Sequence, residues 1–190
     1  DILTIWINGA TADGSLVLKY GSTCTGYLNC TGLSIYQNRT IFRNEHTGSV
    51  TNANVSSCDN DTGTNCADTE IGFTSNSGTL TVSSGIELHI WTGDTFDPGG
   101  TVTTNATGGD LHLDDSATVT LGNATNAIGR DVIVDTGATL NINADTTVSG
   151  GDITNAGTGV ITTTSGVPTV TVSGTGSIGG VSGSTTFYNL

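Results

Sequence analysis

The chain has no methionine, two prolines (Pro98 and Pro168) and four basic side chains, Lys19, Arg39, Arg43 and Arg130. Against 17 acidic residues this leaves a formal net charge of −13. Four scattered cations cannot make the basic patch that neutralises a phosphate backbone, so nucleic acid is excluded as a partner. Anionic membrane surfaces are disfavoured for the same reason. Aromatic residues are scarce: two Trp, four Tyr and four Phe in 190 residues, and none between Asp97 and Thr186. That is too little for several ordinary globular cores. No apolar run approaches the roughly 18 residues of a membrane-spanning helix, and no signal peptide is visible. We expect no membrane insertion. The sequence opens at Asp1 and runs straight into strand-like residues, the expectation for a mature secreted chain.

What the sequence has in quantity is Gly, Thr, Ser and Asn, placed around short β-branched runs. The runs argue against disorder. They recur. Gly108-Gly109-Asp110, Gly129-Arg130-Asp131 and Gly150-Gly151-Asp152 are one punctuation repeated every 21 residues, each followed by a short strand at Leu111–Leu113, Val132–Val134 or Ile153–Thr154. A second strand follows at Val119–Leu121, Leu140–Ile142 and Ile161–Thr163, and a third at Ala127–Ile128 and Thr146–Val148. A period of 20 to 25 residues in strand-rich sequence is the mark of a β-solenoid. The expected fold is therefore all-β, a β-solenoid (β-helix) with about 21 residues per turn. Val119, Leu140 and Ile161 align as an inward column, with the polar Thr120, Asn141 and Thr162 as an outward one. No helix pattern is expected.

Residues 1–77 read differently, as a β-rich cap or assembly section preceding a solenoid over residues 78–190. Ile2–Ile7 is a strand apolar on both faces, which predicts burial on both sides. Ser15–Tyr20, Leu33–Tyr36 and Thr40–Arg43 are further strands, and Thr47–Asp68 is a polar surface excursion. In the second section, Thr79–Val82, Ile86–Trp91 and Thr101–Thr103 are strands outside the 21-residue register. The four cysteines, Cys24, Cys30, Cys58 and Cys66, all lie in the first section. Their even number and loop-like neighbours favour two disulfides over a zinc site, which wants tighter spacing. Local pairs Cys24–Cys30 and Cys58–Cys66 are the expected arrangement among three connectivities. An oxidising, extracellular or cell-surface location follows.

Residues 78–190 resemble bacterial secreted β-solenoid surface proteins, the autotransporter passengers and filamentous-haemagglutinin-like repeats. The resemblance rests on Gly78-Thr79-Leu80-Thr81-Val82, Pro98-Gly99-Gly100-Thr101-Val102-Thr103, Gly137-Ala138-Thr139-Leu140-Asn141-Ile142 and Thr186-Phe187-Tyr188-Asn189-Leu190. It implies an extracellular surface or appendage role.

Several residue patterns carry candidate chemistry. Asp110, Asp131 and Asp152 form a column whose functional reading is a line of calcium sites; the competing reading is that each carboxylate bonds its own turn's backbone N–H groups. Asp114 and Asp135 make a second column. No other cofactor is expected. The pairing of Asp114-Asp115 with His112 invites comparison with polysaccharide hydrolases, but His46, His89 and His112 form no nucleophile constellation, so no catalytic residue is assigned and no enzymatic activity is expected. Thr-x-Thr pieces suggest an ice-binding face. In a 21-residue register, however, Thr118 and Thr139 are followed by Val160, so β-favouring Thr on a solvated strand explains them. Asn29, Asn38, Asn54, Asn60, Asn105 and Asn123 open N-glycosylation sequons, about as many as composition alone gives.

A solenoid must cap or use its two ends. The expected function is a structural subunit of an extracellular filament or surface appendage. Its partners are copies of itself, polymerised head to tail through the N-terminal strand (Ile2, Leu3, Ile5, Trp6, Ile7) and the C-terminal end (Phe187, Tyr188, Leu190). A monomeric adhesin or carbohydrate-binding module that contacts surface glycans is the first alternative, and a polysaccharide-active β-helix enzyme the second.

Overall fold

The structure is a computed structural model. It describes residues 2–7, 14–21, 32–56, 71–122, 124–163 and 168–180, together with the backbone of 184–186. The four cysteines, Asn29, Asn60, Asn123, Phe187, Tyr188 and Leu190 lie outside these residues.

The chain winds as a β-solenoid whose coils each pass through three sheets. Strands β3 (Arg39–Asn44), β6 (Glu87–Ile90), β9 (Leu111–Leu113), β12 (Val132–Val134), β15 (Ile153–Asn155) and β18 (Ile178–Gly180) stack in parallel as sheet A. Sheet B holds β7 (Thr95–Phe96), β10 (Thr118–Leu121), β13 (Thr139–Ile142), β16 (Val160–Thr162) and β19 (Ser184–Thr186). Sheet C holds β5 (Thr79–Val82), β8 (Thr101–Thr104), β11 (Asn126–Ile128), β14 (Thr146–Ser149) and β17 (Val170–Ser173). Sheet A is prolonged past β3 by β2 (Ser15–Lys19), parallel, and β1 (Ile2–Trp6), antiparallel; sheet C is prolonged past β5 by the antiparallel β4 (Phe73–Asn76). Sheet A thus runs unbroken from residue 2 to residue 180.

Alternation makes the core. In each short strand the apolar positions point inward, so Leu88, Leu111, Val132 and Ile153 form one buried column and Phe96, Val119, Leu140 and Ile161 another. Each such side chain contributes roughly 1.5–3 kcal/mol by leaving water. The 21-residue step is real, but local. Sheet A advances by 23, 21, 21 and 25 residues from Leu88 to Ile178. Sheet C advances by 24, 20 and 24 from Thr103 to Thr171, because its corners vary in length.

The end where β1 and β4 lie is built differently. Phe42, Phe73 and Phe96 meet edge to face, with ring centroids 6.1 and 5.1 Å apart from Phe42. These rings are fully buried and plug the column at this end. Beside them sits a one-turn helix, α1 (Asn52–Val55), started by a capping box between Thr51 and Asn54. Four residues cannot show a helical period, so the absence of any helix pattern in the sequence was no guide here. Nor is 47–56 a mere surface excursion. Val50, Asn52 and Val55 are buried, and Asn52 donates from Nδ2 to the Thr101 carbonyl at 3.0 Å.

Further expectations need correction. Leu33–Tyr36 joins no ladder among the described residues. The strand β4 was not expected, although Ser77-Gly78 is a two-residue hairpin turn, with Asn76 Oδ1 accepting from the amides of Gly78 and Thr79. The full burial expected of Ile2–Ile7 is not reached: β1 is half-buried along its length, with Ile2 and Trp6 packed on the core, and Ile7 is exposed. Strand β1 is bonded to its own sheet through five residue pairs, and only its outer edge lacks a neighbour among the described residues.

Candidate functional site

The outward positions of β6 are Glu87 and His89, because Leu88 and Ile90 take the inward ones. Register brings His112 of β9 alongside His89, and Arg39 of β3 alongside Glu87. The result is a half-buried cluster centred on one carboxylate oxygen. Glu87 Oε1 lies 2.9 Å from His89 Nδ1, 3.2 Å from His112 Nδ1 and 3.2 Å from Arg39 Nε. The two imidazoles meet edge to face at 4.7 Å. Their far nitrogens also face carboxylates, His112 Nε2 at 2.8 Å from Asp135 Oδ2 and His89 Nε2 at 3.7 Å from Asp114 Oδ2. Asp114 is held in turn by the Thr92 hydroxyl at 2.7 Å and the Asp115 amide at 2.9 Å. Trp91 closes one side, its ring 6.2 Å from His89 and covered by the Arg43 guanidinium at 5.7 Å.

The electrostatics are those of a tight ion-pair cluster. Burial alone would raise Glu87, but the bonds from His112 and His89 outweigh it and hold the carboxyl at about 2. Burial would likewise lower His112, yet Glu87 and Asp135 on either side push it up to about 9. Neither group titrates near neutrality, where general acid–base work asks for it.

The other sequence-derived sites are placed as follows. Asp110, Asp131 and Asp152 do stack, and the bonds they make run between coils rather than within one turn. Asp110 Oδ1 accepts from the Asp131 amide (3.0 Å), Asp131 Oδ1 from the Asp152 amide (2.8 Å) and Asp152 Oδ1 from the Ser177 amide (2.7 Å). Asp110 is buried and also bound by Arg130 through Nε and Nη2. A guanidinium therefore stands where a calcium ion would sit on that residue. Asn105 is exposed on the corner after β8, and Asn38 is exposed at a turn with φ +60°; Asn54 is engaged in the capping box. Ile2, Leu3, Ile5 and Trp6 lie in β1, and Ile7 follows it, 38% exposed.

The histidine cluster was only half legible in the sequence. Glu87-Leu88-His89 shows the period-2 pattern, but His112 joins it across a 23-residue step that the 21-residue repeat does not predict. The same difference hid a threonine column. Sheet C aligns Thr74, Thr81, Thr103, Ala127, Thr147 and Thr171 on its outward face, whereas the 21-residue register tests sheet B alone.

Three sheets of stacked parallel strands around one aliphatic column place the chain among β-solenoid proteins. Comparison with known proteins finds no matching family model, no matching curated protein and no matching solved structure.

Proposed function

We propose that the chain is a structural subunit of an extracellular filament or surface appendage, associating end to end through its sheet edges, in keeping with its resemblance to secreted β-solenoid surface proteins. The observation that carries this reading is the end formed by β17, β18 and β19. There the last strands of all three sheets among the described residues lie side by side, so one added coil meets three ladders at once. Ile178 ends the Leu88 column there and is 39% exposed, an apolar surface that a further coil covers. At the opposite end the edges without a neighbour among the described residues belong to β1 and β4, so a contact between the two ends is heterologous and propagates. The N-terminal strand acts in this reading by its edge rather than by being donated.

Negative-stain imaging of concentrated protein tests the reading. Linear polymers are expected, and Ile178→Lys, which puts a charge on the joining surface, reduces them to monomers of unchanged circular dichroism. Discrete wild-type monomers at high concentration reject it.

The threonine column of sheet C favours a second reading, an adhesin that uses a long uncharged face. It predicts glycan binding by monomers that is lost when Thr103 and Thr147 are changed to Lys together.

A further inference from the structure

We infer that Glu87, His89 and His112 form a binding site for one divalent transition-metal ion of the zinc type. Two imidazoles and one carboxylate are the donor set that holds zinc with three protein ligands and leaves a fourth position to solvent. Imidazole nitrogens select such ions over calcium and magnesium, which prefer all-oxygen sites. The spacing fits. A tetrahedral ion with bonds of about 2.0–2.1 Å keeps its ligands roughly 3.3 Å apart. Here the Glu87 oxygen is 2.9 and 3.2 Å from the two Nδ1 atoms, and the three donor atoms all lie within 4.8 Å of one another. An ion entering between them needs side-chain rotation and no movement of the strands.

A second, independent feature is what stands behind the imidazoles. A metal-bound histidine commonly gives its other ring nitrogen to a carboxylate, which fixes the ring and strengthens the ligand. His112 has this arrangement toward Asp135 at 2.8 Å, and His89 approaches it toward Asp114 at 3.7 Å. Both rings therefore aim Nδ1 at one point and back Nε2 with an acid. The platform is rigid, since β6 and β9 are neighbouring strands in sheet A and His89 is buried. One group must yield. Arg39 contacts the same Glu87 oxygen from a side chain 37% exposed, and it turns outward when the ion arrives. The remaining acidic groups do not share this design. Asp114, Asp115 and Asp135 offer oxygen alone at a solvated corner, and the Asp110 column is bonded to amides.

The test uses the whole chain, stripped of metal by chelator and titrated at pH 8, where the ion must displace the proton that the metal-free cluster holds on His112, with Zn²⁺ and with Co²⁺, whose visible absorption reports four-coordination. Binding of one ion per chain is expected, with intense cobalt bands and no displacement by excess Ca²⁺ or Mg²⁺. His112→Asn and His89→Asn each abolish the bands, while His46→Asn leaves them unchanged. Asp135→Asn weakens affinity by about 10- to 100-fold, the usual effect of losing a supporting carboxylate. Circular dichroism confirms that each variant is folded, and Glu87→Gln serves where a histidine variant is not. Absence of binding, displacement by Ca²⁺, or an affinity indifferent to His89, His112 and Glu87 overturns the inference. In the last two cases the ion is held by the acidic surface and the cluster is an ion-pair network only.

Discussion

The backbone N–H of Asp131 donates to the carboxylate of Asp110 one coil earlier, at 3.0 Å, and the N–H of Asp152 donates in the same way to the carboxylate of Asp131 at 2.8 Å. Asp152 passes it on to Ser177, whose amide and hydroxyl hold that carboxyl below the usual range. Each Asp thus fastens the corner of its coil to the next one. Asp131→Ala leaves the Asp152 amide without its acceptor and should cost about 1 kcal/mol. Asp131→Asn keeps an acceptor oxygen and relieves repulsion along the column, so it should be nearly neutral. Urea unfolding of the two variants side by side checks the contrast. Equal destabilisation would show that charge matters here and the bond does not.

At the corner between sheets A and B, Gly93, Ser116 and Gly137 occupy the same left-handed position, with φ of +75°, +61° and +73°. The turns are closed by Asp94→Trp91, Ala117→Asp114 and Ala138→Asp135 amide–carbonyl bonds. Serine is the exception, and a side chain in this region costs about 1–2 kcal/mol. Ser116→Gly relieves that strain but enlarges the unfolded ensemble by about 0.4–1 kcal/mol. The net expectation is a gain near 0.5–1 kcal/mol, visible as a raised Tm. Gly137→Ala should do the reverse, all the more because its added Cβ would lie 3.2 Å from Ser116 Oγ.

The solenoid was legible because its cause is local: alternation within strands such as Leu111-His112-Leu113 and a glycine–aspartate signal at each corner. Pairing across coils was not, because it depends on corner length. The segments from Leu113 to Val134 and from Val134 to Asn155 are equal, so the sequence repeat and the register coincide there. Between β6 and β9 the corner is longer, and His89 meets His112 two residues out of that register. The packing of residues 50–56 was obscure for a related reason. Val50 bridges to Phe96 and Asn52 reaches Thr101 across 46 and 49 residues of sequence, and no local pattern marks such contacts.

Asp94 gives the fold a titration opposite to that of the other shifted acids. Burial raises its carboxyl from the ordinary 3.8 to about 6, despite the bond it accepts from the Asn44 amide. The folded state therefore binds this proton more tightly than the unfolded chain does. Its stabilisation is complete below about pH 4, is lost between about pH 4 and pH 6, and is absent above. Asp94→Asn keeps the shape and an acceptor for Asn44 without the ionisation. The variant should be more stable than wild type at pH 7, and the difference should vanish on acidification to pH 4. Thermal melts across that range decide it; a constant difference would mean that Asp94 does not titrate there.

In β1, the Thr4 hydroxyl is buried and makes no hydrogen bond among the described residues. Replacing it by an isosteric methyl removes a polar group that lost water and gained nothing. Thr4→Val should stabilise by about 1 kcal/mol, measured as a shift in the urea midpoint. A loss of stability would place a solvent partner at that oxygen.

The phenylalanine plug makes the two ends of the solenoid unequal in stability. Phe96 is fully buried and packs edge to face on Phe42, where sheets A and B and the α1 corner converge. Phe96→Ala opens a cavity that rigid strands on three sides cannot fill, so about 3–5 kcal/mol is expected. Val172, in β17 at the other end, is only partly buried, and Val172→Ala should cost less than about 1 kcal/mol. In a stack of coils, stability is a sum of each coil and its contacts with its neighbours. Amide exchange should therefore be slowest in β3, β6 and β9 and fastest in β17 and β18. Phe42, Phe73 and Phe96 come from sheets A, C and B and tie the three together at this end only, so Phe96→Ala should speed exchange in β6 and β9 far more than in β17. Uniform acceleration along the whole chain would instead show that the coils unfold as a single unit.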